Sequence, residues 1–271
     1  MRQKVLGVNV DVLGKQDTLE IILSWLRDDK SKKRQVVTAY SEFFVKARDD
    51  TEFMRVLNEA DLVTPDGVSV LAAVRYARAV KHKGVVMKVF EGVRVGVEVL
   101  LSRVGETVTG VWLFENLCSK AREEKMKVFL LGGLDGVSAR AARKLQKQFP
   151  GIDVEYDEGE TRVGTEPAVH RVVMSKINRF RPDILFVAYS PVKQEKWIAK
   201  HKNDLKVGVA IGVGGTYDEY VGDLPGAPVW MGRSGLKWLW RLWLQPKRLG
   251  RIFRAVVLFP CLVFRESLSD K

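Results

Sequence analysis

The chain is predicted to fold as an α/β protein: a Rossmann-like, mostly parallel sheet with helices on both faces, followed by a basic, helical C-terminal appendage. Three observations predict this. Short apolar segments of strand length alternate with amphipathic stretches of ten or more residues, the pattern of a sheet built from crossover units. Several apolar segments close on glycine, including Leu131-Gly132-Gly133 and Ile211-Gly212-Val213-Gly214-Gly215. The alternation stops near Gly222, and after Pro228 the composition turns to Trp, Arg and Leu.

In chain order, Val5 to Leu13 reads as a strand or hairpin. Asp17 suits the N-cap of a helix over Thr18 to Asp29. Gln35 to Thr38 is a buried strand, and Ser41 to Glu59 a helical stretch. Asp61 to Gly67 is a short strand ending in a turn marked by Pro65 and Gly67. The Val-rich segment from Gly84 to Thr107 reads as an inserted helix or a lipid-facing element. Lys127 to Leu131 is the clearest strand, followed by a helix from Gly136 to Phe149. Ile152 to Tyr156, Asp183 to Ala188 and Val207 to Ile211 are strands, with helices over Glu166 to Phe180 and Pro191 to His201 between them. A boundary near 225 divides an α/β core, 1–225, from the appendage, 226–271.

At 46% hydrophobic and 29% charged, the chain lies in the globular range rather than the disordered one. The two cysteines, Cys118 and Cys261, form no Cys-x-x-Cys pair, and His82, His170 and His201 have no metal-ligand spacing. No metal and no cofactor is therefore expected, and the compartment is read as reducing. The N-terminus lacks the apolar core of a signal peptide.

The net charge of +12 calls for an acidic partner: anionic lipid, a diphosphate-bearing substrate or nucleic acid. From Met231 onward there are nine Lys/Arg and two Asp/Glu, so this tail carries +7 of it. Trp238, Trp240 and Trp243 alternate there with cations, and the uncharged run Ala255 to Phe264 follows. Indole rings favour the headgroup level of a bilayer, and cations favour anionic lipid. The run is half the length needed to span hydrocarbon and contains Pro260, so the tail is expected to lie on a membrane surface. No nucleic-acid recognition motif is present.

In an open parallel sheet, ligands bind beyond the carboxyl ends of the strands. Thr38, Asp66, Gly132-Gly133, Tyr189-Ser190 and Gly212 to Gly215 are all expected at that one edge. Asp66 either caps a helix or acts as a general base toward an acceptor hydroxyl. Gly132-Gly133 is either a tight turn or a place where backbone N–H groups approach a phosphate. No Asp-x-Asp triplet offers a divalent-ion site for a diphosphate. Arg241, Arg248 and Arg251 are the arginines available to face phosphate oxygens instead, from either side of a break at Pro246.

The chain resembles the WecG/TagA/CpsF glycosyltransferase family. The resemblance is carried, in family order, by Val37-Thr38 with Glu42, Ala60 to Gly67, Arg75, Val128 to Gly133, Lys193 to Ile198, Gly212 to Asp218, Ala227 to Trp230, Gly235 to Leu242, and Gln245 to Arg248 with Arg251. It implies a peripheral enzyme on the cytoplasmic face of the bacterial membrane. It further implies inverting transfer of an N-acetylmannosamine-type sugar from a UDP-sugar donor to a polyprenyl-diphosphate-linked GlcNAc, feeding teichoic acid or other surface polysaccharide. By the same resemblance Asp66 is the catalytic base with Thr38 beside it. Tyr40, Arg75, Gly132, Gly133, Gln194, Gly214 and Gly215 bind substrate, and Arg241, Arg248 and Arg251 complete the site over the diphosphate. A homo-oligomer is left open.

Some positions depart from the family pattern. Tyr40 stands where an asparagine is usual, Gly110-Val111-Trp112 where Gly-Ser-Asp is usual, and Gly226 where arginine is usual. The connection from Arg75 to Gly110 is longer than expected. The missing pocket carboxylate motivates a second reading, a non-catalytic nucleotide-sugar-binding or scaffolding relative.

Overall fold

The computed structural model describes residues 2–28, 32–160, 162–223, 225–233, 236–246 and 249–269, without the side chains at 233, 237 and 241. An antiparallel hairpin, β1 (Arg2–Val5) and β2 (Val8–Asp11), turns through Leu6 and Gly7, both at positive φ. Positive φ at both central residues matches the twist of paired strands. Helix α1 (Lys15–Asp28) buries Leu19, Ile22, Leu23 and Leu26, spaced as one helical face. Strand β3 (Arg34–Ala39) follows.

The single helix expected over 41–59 is two, α2 (Ser41–Asp49) and α3 (Thr51–Glu59). Asp50 breaks it, adopting extended geometry and accepting the Phe53 N–H at 2.9 Å. That side-chain bond replaces one of the bonds a new helix start lacks, so capping wins over continuation.

Next come β4 (Leu62–Pro65), α4 (Val68–Ala79) and α5 (Val85–Leu100). The second half runs α6 (Gly110–Glu123), β5 (Lys127–Gly132), α7 (Val137–Gln148), β6 (Asp153–Asp157), α8 (Pro167–Phe180), β7 (Ile184–Ala188), α9 (Lys193–His201), β8 (Val209–Gly212) and α10 (Thr216–Val221). The tail holds α11 (Val229–Arg233), α12 (Lys237–Leu244), α13 (Leu249–Phe253), a π-helical turn over Arg254–Leu258, and α14 (Phe259–Ser269).

Six strands pair in the order β4-β3-β8-β7-β5-β6, all parallel. The alternation of side chains serves two cores. Val36, Val128, Leu130, Ile184 and Phe186 join α1, α6 and α7 on one face. On the other, Phe129, Leu131, Leu185 and Val187 meet α8 and α9, while Val37 and Val63 meet the hairpin, α2, α3 and α4. Apolar residues on both sides of each strand are what a sheet buried on both faces requires.

The last helix does not hang free of this body. Phe259 and Val263 of α14 are buried among Phe44, Val74 and Val95, and the Phe44 and Phe259 rings lie 5.4 Å apart. Burying a phenylalanine contributes about 1.5–3 kcal/mol, so α14 holds the tail against α2, α4 and α5.

Candidate active site

Parallel pairing brings the carboxyl ends level. Val37 pairs with Gly212, Thr38 with Thr64, Val187 with Gly212, and Gly132 with Ala188. Above this edge lies one cleft of about 2210 Å³. Small-ligand pockets run to roughly 300–1,000 Å³, so the space suits a substrate pair rather than one small molecule.

Thr38, Tyr40, Asp66 and Gly133 line the cleft, as do Gln194, Gly214, Gly215 and Arg251. Arg75 and Gly132 are not in its lining. Arg75 is an exposed side chain on α4, 2.7 Å from the Glu98 carboxylate and donating to the Arg103 carbonyl at 2.9 Å. It ties α4 to α5 and the loop after it. Gly132 sits where a Cβ would come within 2.9 Å of the Ala188 backbone, so it serves the close approach of β5 and β7. Gly133 is packed as tightly: a Cβ would meet Val137 Cγ1 at 2.4 Å. Arg248 and the side chain of Arg241 lie outside the described residues.

Asp66 follows β4 and precedes Gly67, whose φ of 153° is open only to glycine at this ψ of 145°. Its backbone N–H donates to Ala39 O at 2.9 Å. The Gly110 N–H, the first of α6, approaches its Oδ2 at 3.4 Å. A carboxylate there faces the positive end of a helix dipole. Thr38 Oγ1 donates to the Gly212 carbonyl at 3.2 Å. A Cβ on Gly110 would meet Thr216 Oγ1 at 3.0 Å and Thr38 Oγ1 at 3.6 Å. Glycine at 110 is thus what lets α6 approach Asp66 and Thr38 together.

Gln194 is held from both ends. Its Nε2 donates to Glu195 Oε1 at 2.6 Å, and its Oε1 accepts the Gly214 N–H at 3.0 Å. The buried Glu195 also accepts the Val192 N–H at 2.7 Å. Burial pushes the Glu195 carboxyl up to about 7, against the pull of the Gln194 and Val192 hydrogen bonds. Val192 has φ +75°, costly for a β-branched residue, and Ser190 φ +82°. The strained turn brings Ser190, Pro191 and Gln194 to the cleft.

On the tail side, Arg251 Nε donates to Glu42 Oε2 at 2.8 Å and its Nη2 to Tyr40 Oη at 2.6 Å. Arg254 Nη2 reaches Glu42 Oε1 at 3.2 Å, as does Lys46 Nζ. Burial would raise the Glu42 carboxyl, but Arg251 and Lys46 outweigh it and hold it below the ordinary range. Burial raises the Tyr40 hydroxyl, so it stays a neutral donor. Of these three cations, Arg251 is the one in the cleft lining, a fork brought to the rim from the tail.

Sequence reasoning did not identify Lys15, Arg103 or Asp135, which also line the cleft. Lys15 Nζ stands 5.6 Å from the Trp112 ring. Nothing local marks Lys15. Nor did sequence reasoning place a helix over 110–123, although Thr109 before Gly110 is an N-cap whose Oγ1 accepts the Trp112 N–H at 3.3 Å, a signal that could have found the α6 start. Among the described residues no group of three His, Cys, Asp or Glu is placed to hold a metal ion, and no helix is long and apolar enough to cross a membrane.

A family model described as the Glycosyl transferase WecG/TagA/CpsF family matches residues 3–91 and 74–271. The chain is similar to the N-acetylglucosaminyldiphosphoundecaprenol N-acetyl-beta-D-mannosaminyltransferase of Bacillus spizizenii, 30% identical over 245 residues that cover 90% of this chain and 84% of that protein. A Staphylococcus aureus protein of the same name (strain MRSA252) is 26% identical over 248 residues, covering 92% and 87%.

Proposed function

The chain belongs to the WecG/TagA/CpsF glycosyl transferase family, and on that premise we propose that it moves an N-acetylmannosamine-type sugar from a UDP donor to GlcNAc on undecaprenyl diphosphate. The transfer inverts the anomeric centre. The acceptor hydroxyl attacks the anomeric carbon from the face opposite UDP, the new C–O bond forms, and the bond to the diphosphate oxygen breaks. Asp66 takes the hydroxyl proton. Thr38 shapes the floor beside it through its bond to the Gly212 carbonyl. Gln194 fixes the Gly214 turn against the donor. Arg251, which lines the cleft from the tail side, stabilises the departing diphosphate. Arg241 and Arg248 belong to the same proposal, as do Tyr40 and the substrate-facing backbone at Gly133 and Gly215.

The observation that carries this reading is the large cleft in which Asp66, Thr38, Gln194 and Arg251 meet an apolar wall. A nucleotide sugar and a prenyl-linked sugar together need both polarities. The enzyme works as a peripheral protein on the cytoplasmic face of the membrane, where its acceptor is held. Residues 1–225 carry the base and the donor pocket, and 226–271 dock on anionic lipid and supply the arginines that complete the site.

Incubating the protein with a panel of UDP-N-acetylhexosamines and a prenyl-diphosphate-GlcNAc acceptor, with products read by mass spectrometry, tests it. One added N-acetylhexosamine is expected, from the mannosamine donor. A positioned base contributes about 10²–10⁴-fold, so Asp66→Asn should fold normally and lose at least about a hundredfold in turnover. Near-normal transfer by that variant removes Asp66 from the role.

A further inference from the structure

Helix α5 is built inside out. Val86, Phe90 and Val93 are 82%, 60% and 64% exposed, and Val85, Val89, Val97 and Leu100 are exposed with them. The charged Lys88 and Glu91 are instead buried, at 6% and 7%. Their charges are satisfied on the protein side. Glu91 accepts from Lys83 at 2.7 Å and from Arg94 at 2.6 Å, and Lys88 Nζ donates to the Ser267 carbonyl of α14. A surface helix in water does the reverse. A continuous apolar face on this scale marks a contact surface rather than a chance arrangement.

Two further features say what covers it. The other edge of the same helix lines the cleft through Gly92, Val95 and Gly96, and a Cβ on Gly96 would meet nothing within 4 Å. The tail supplies Ile252, Ala255 and Val256 to the same cavity. Beyond them Phe253 and Val257 are exposed. Two outward apolar faces, one from the body and one from the tail, therefore belong to elements that line the same cleft. The net charge of +12 makes a second copy of this chain a repelled partner and an anionic bilayer an attracted one. At 16 residues, about 24 Å, α5 is too short to span hydrocarbon and long enough to lie in its surface.

We propose that the exposed face of α5 inserts into the hydrocarbon boundary of an anionic membrane, and that the side of the cleft lined by Gly92 and Gly96 of α5 and by Ile252 and Val256 of the tail is a lateral port through which a prenyl chain enters directly from the bilayer. The port rests on the acceptor proposed above; the insertion does not. Docking thus has two parts of different physics: a cationic tail attracted by charge, and a body helix held by apolar burial.

The test pairs two readouts on the full chain. Flotation with vesicles of phosphatidylglycerol and phosphatidylethanolamine at high salt, where attraction by charge is screened, is compared for the parent, Val86→Gln/Phe90→Gln and the control Val172→Gln, an exposed valine on α8. The double variant should lose at least about tenfold in vesicle binding, the loss expected for two apolar side chains, while the control should not. Turnover in vesicles carrying a long-chain prenyl-diphosphate-GlcNAc should fall with it, while turnover on a water-soluble short-chain analogue should not. Phe90→Trp keeps the face apolar and should add emission that brominated acyl chains quench. Unchanged flotation, or no added quenching, overturns the insertion. Equal loss on both acceptors overturns the port. Loss of a dimer in sedimentation with vesicle binding intact would assign the face to a second copy and likewise overturn it. If the parent transfers no sugar to either acceptor, the enzymatic reading fails and the flotation arm still decides the insertion.

Discussion

The two sides of the cleft are made by different physics. At the strand-end rim, each polar group is fixed by a partner inside the protein: Thr38 by the Gly212 carbonyl, Gln194 by Glu195 and Gly214, Arg251 by Glu42 and Tyr40. The helical wall of α4 and α5 packs inward through Val74 and Val95 and carries its ion pairs at partly exposed side chains, Arg75 with Glu98 between the helices and Arg94 with Glu91 and Glu98 within α5. The rim is preorganised, as chemistry on a developing charge requires. The wall leaves its apolar side for an outside partner to complete. Substitutions at the rim should therefore cost much more stability in solution than substitutions in the wall.

The largest effect is expected at Gly133. A Cβ there would sit 2.4 Å from Val137 Cγ1 at a φ of +82°. Left-handed strain and overpacking together cost about 2–4 kcal/mol, so Gly133→Ala should lower the urea midpoint sharply. Gly214→Ala is its companion. That residue has φ +54° with nothing within 4 Å of a Cβ, so only the strain of about 1–2 kcal/mol applies. Equal losses would show that the two glycine turns differ less than the packing indicates.

Next is Glu195. Its folded carboxyl titrates at about 7, above the 4.5 of the free group. A raised acid holds a proton in the folded state that the unfolded chain has released. Its contribution is therefore fully present below about pH 4.5 and lost as pH rises through 7, by a few kcal/mol in all. Glu42 is shifted the other way, so its contribution is lost below that window rather than within it. Urea midpoints of the parent, compared with Glu195→Gln from pH 5 to 8, should fall more steeply. Parallel curves would mean that Glu195 is not neutralised by burial.

The rim was largely legible in the sequence because it follows from the sheet. Valine and leucine runs ending in glycine gave the strands, and parallel strands put their ends on one edge. What escaped detection depends on contacts distant in sequence or on inverted polarity. The Arg251–Tyr40 bond spans 211 positions, so Tyr40 read as a departure at a substrate-binding position rather than as the partner of a tail arginine. Arg75 was assigned to substrate by the family resemblance, and nothing in the sequence marks its ion pair with Glu98. The helix break at Asp50 was hidden by apolar spacing that continues on both sides of it.

Glu42→Gln comes third. It removes the negative charge from beneath Arg251, Arg254 and Lys46, whose side chains are 35–39% exposed. Water screens part of the loss, so about 1–2 kcal/mol is expected rather than the 3–5 of a fully buried pair. The variant also frees the Arg251 fork, and its loss of stability should shrink in high salt as the cations cease to repel one another.

Arg75→Gln should be the mildest change and the most direct challenge to the comparison. The guanidinium is 43% exposed, and its partner belongs to the wall rather than to the sheet. Exposed ion pairs are worth about 0.2–1 kcal/mol, and the Arg103 carbonyl it caps can bond to water instead. The urea midpoint should hardly move, and transfer to a soluble acceptor should stay near the parent's. A loss as large as that of Gly133→Ala would mean that the α4–α5 pair is as rigidly specified as the rim, and that its outward apolar face needs no membrane to complete it. A large fall in transfer without a fall in stability would instead return Arg75 to the site, reaching substrate only after its bond to Glu98 opens.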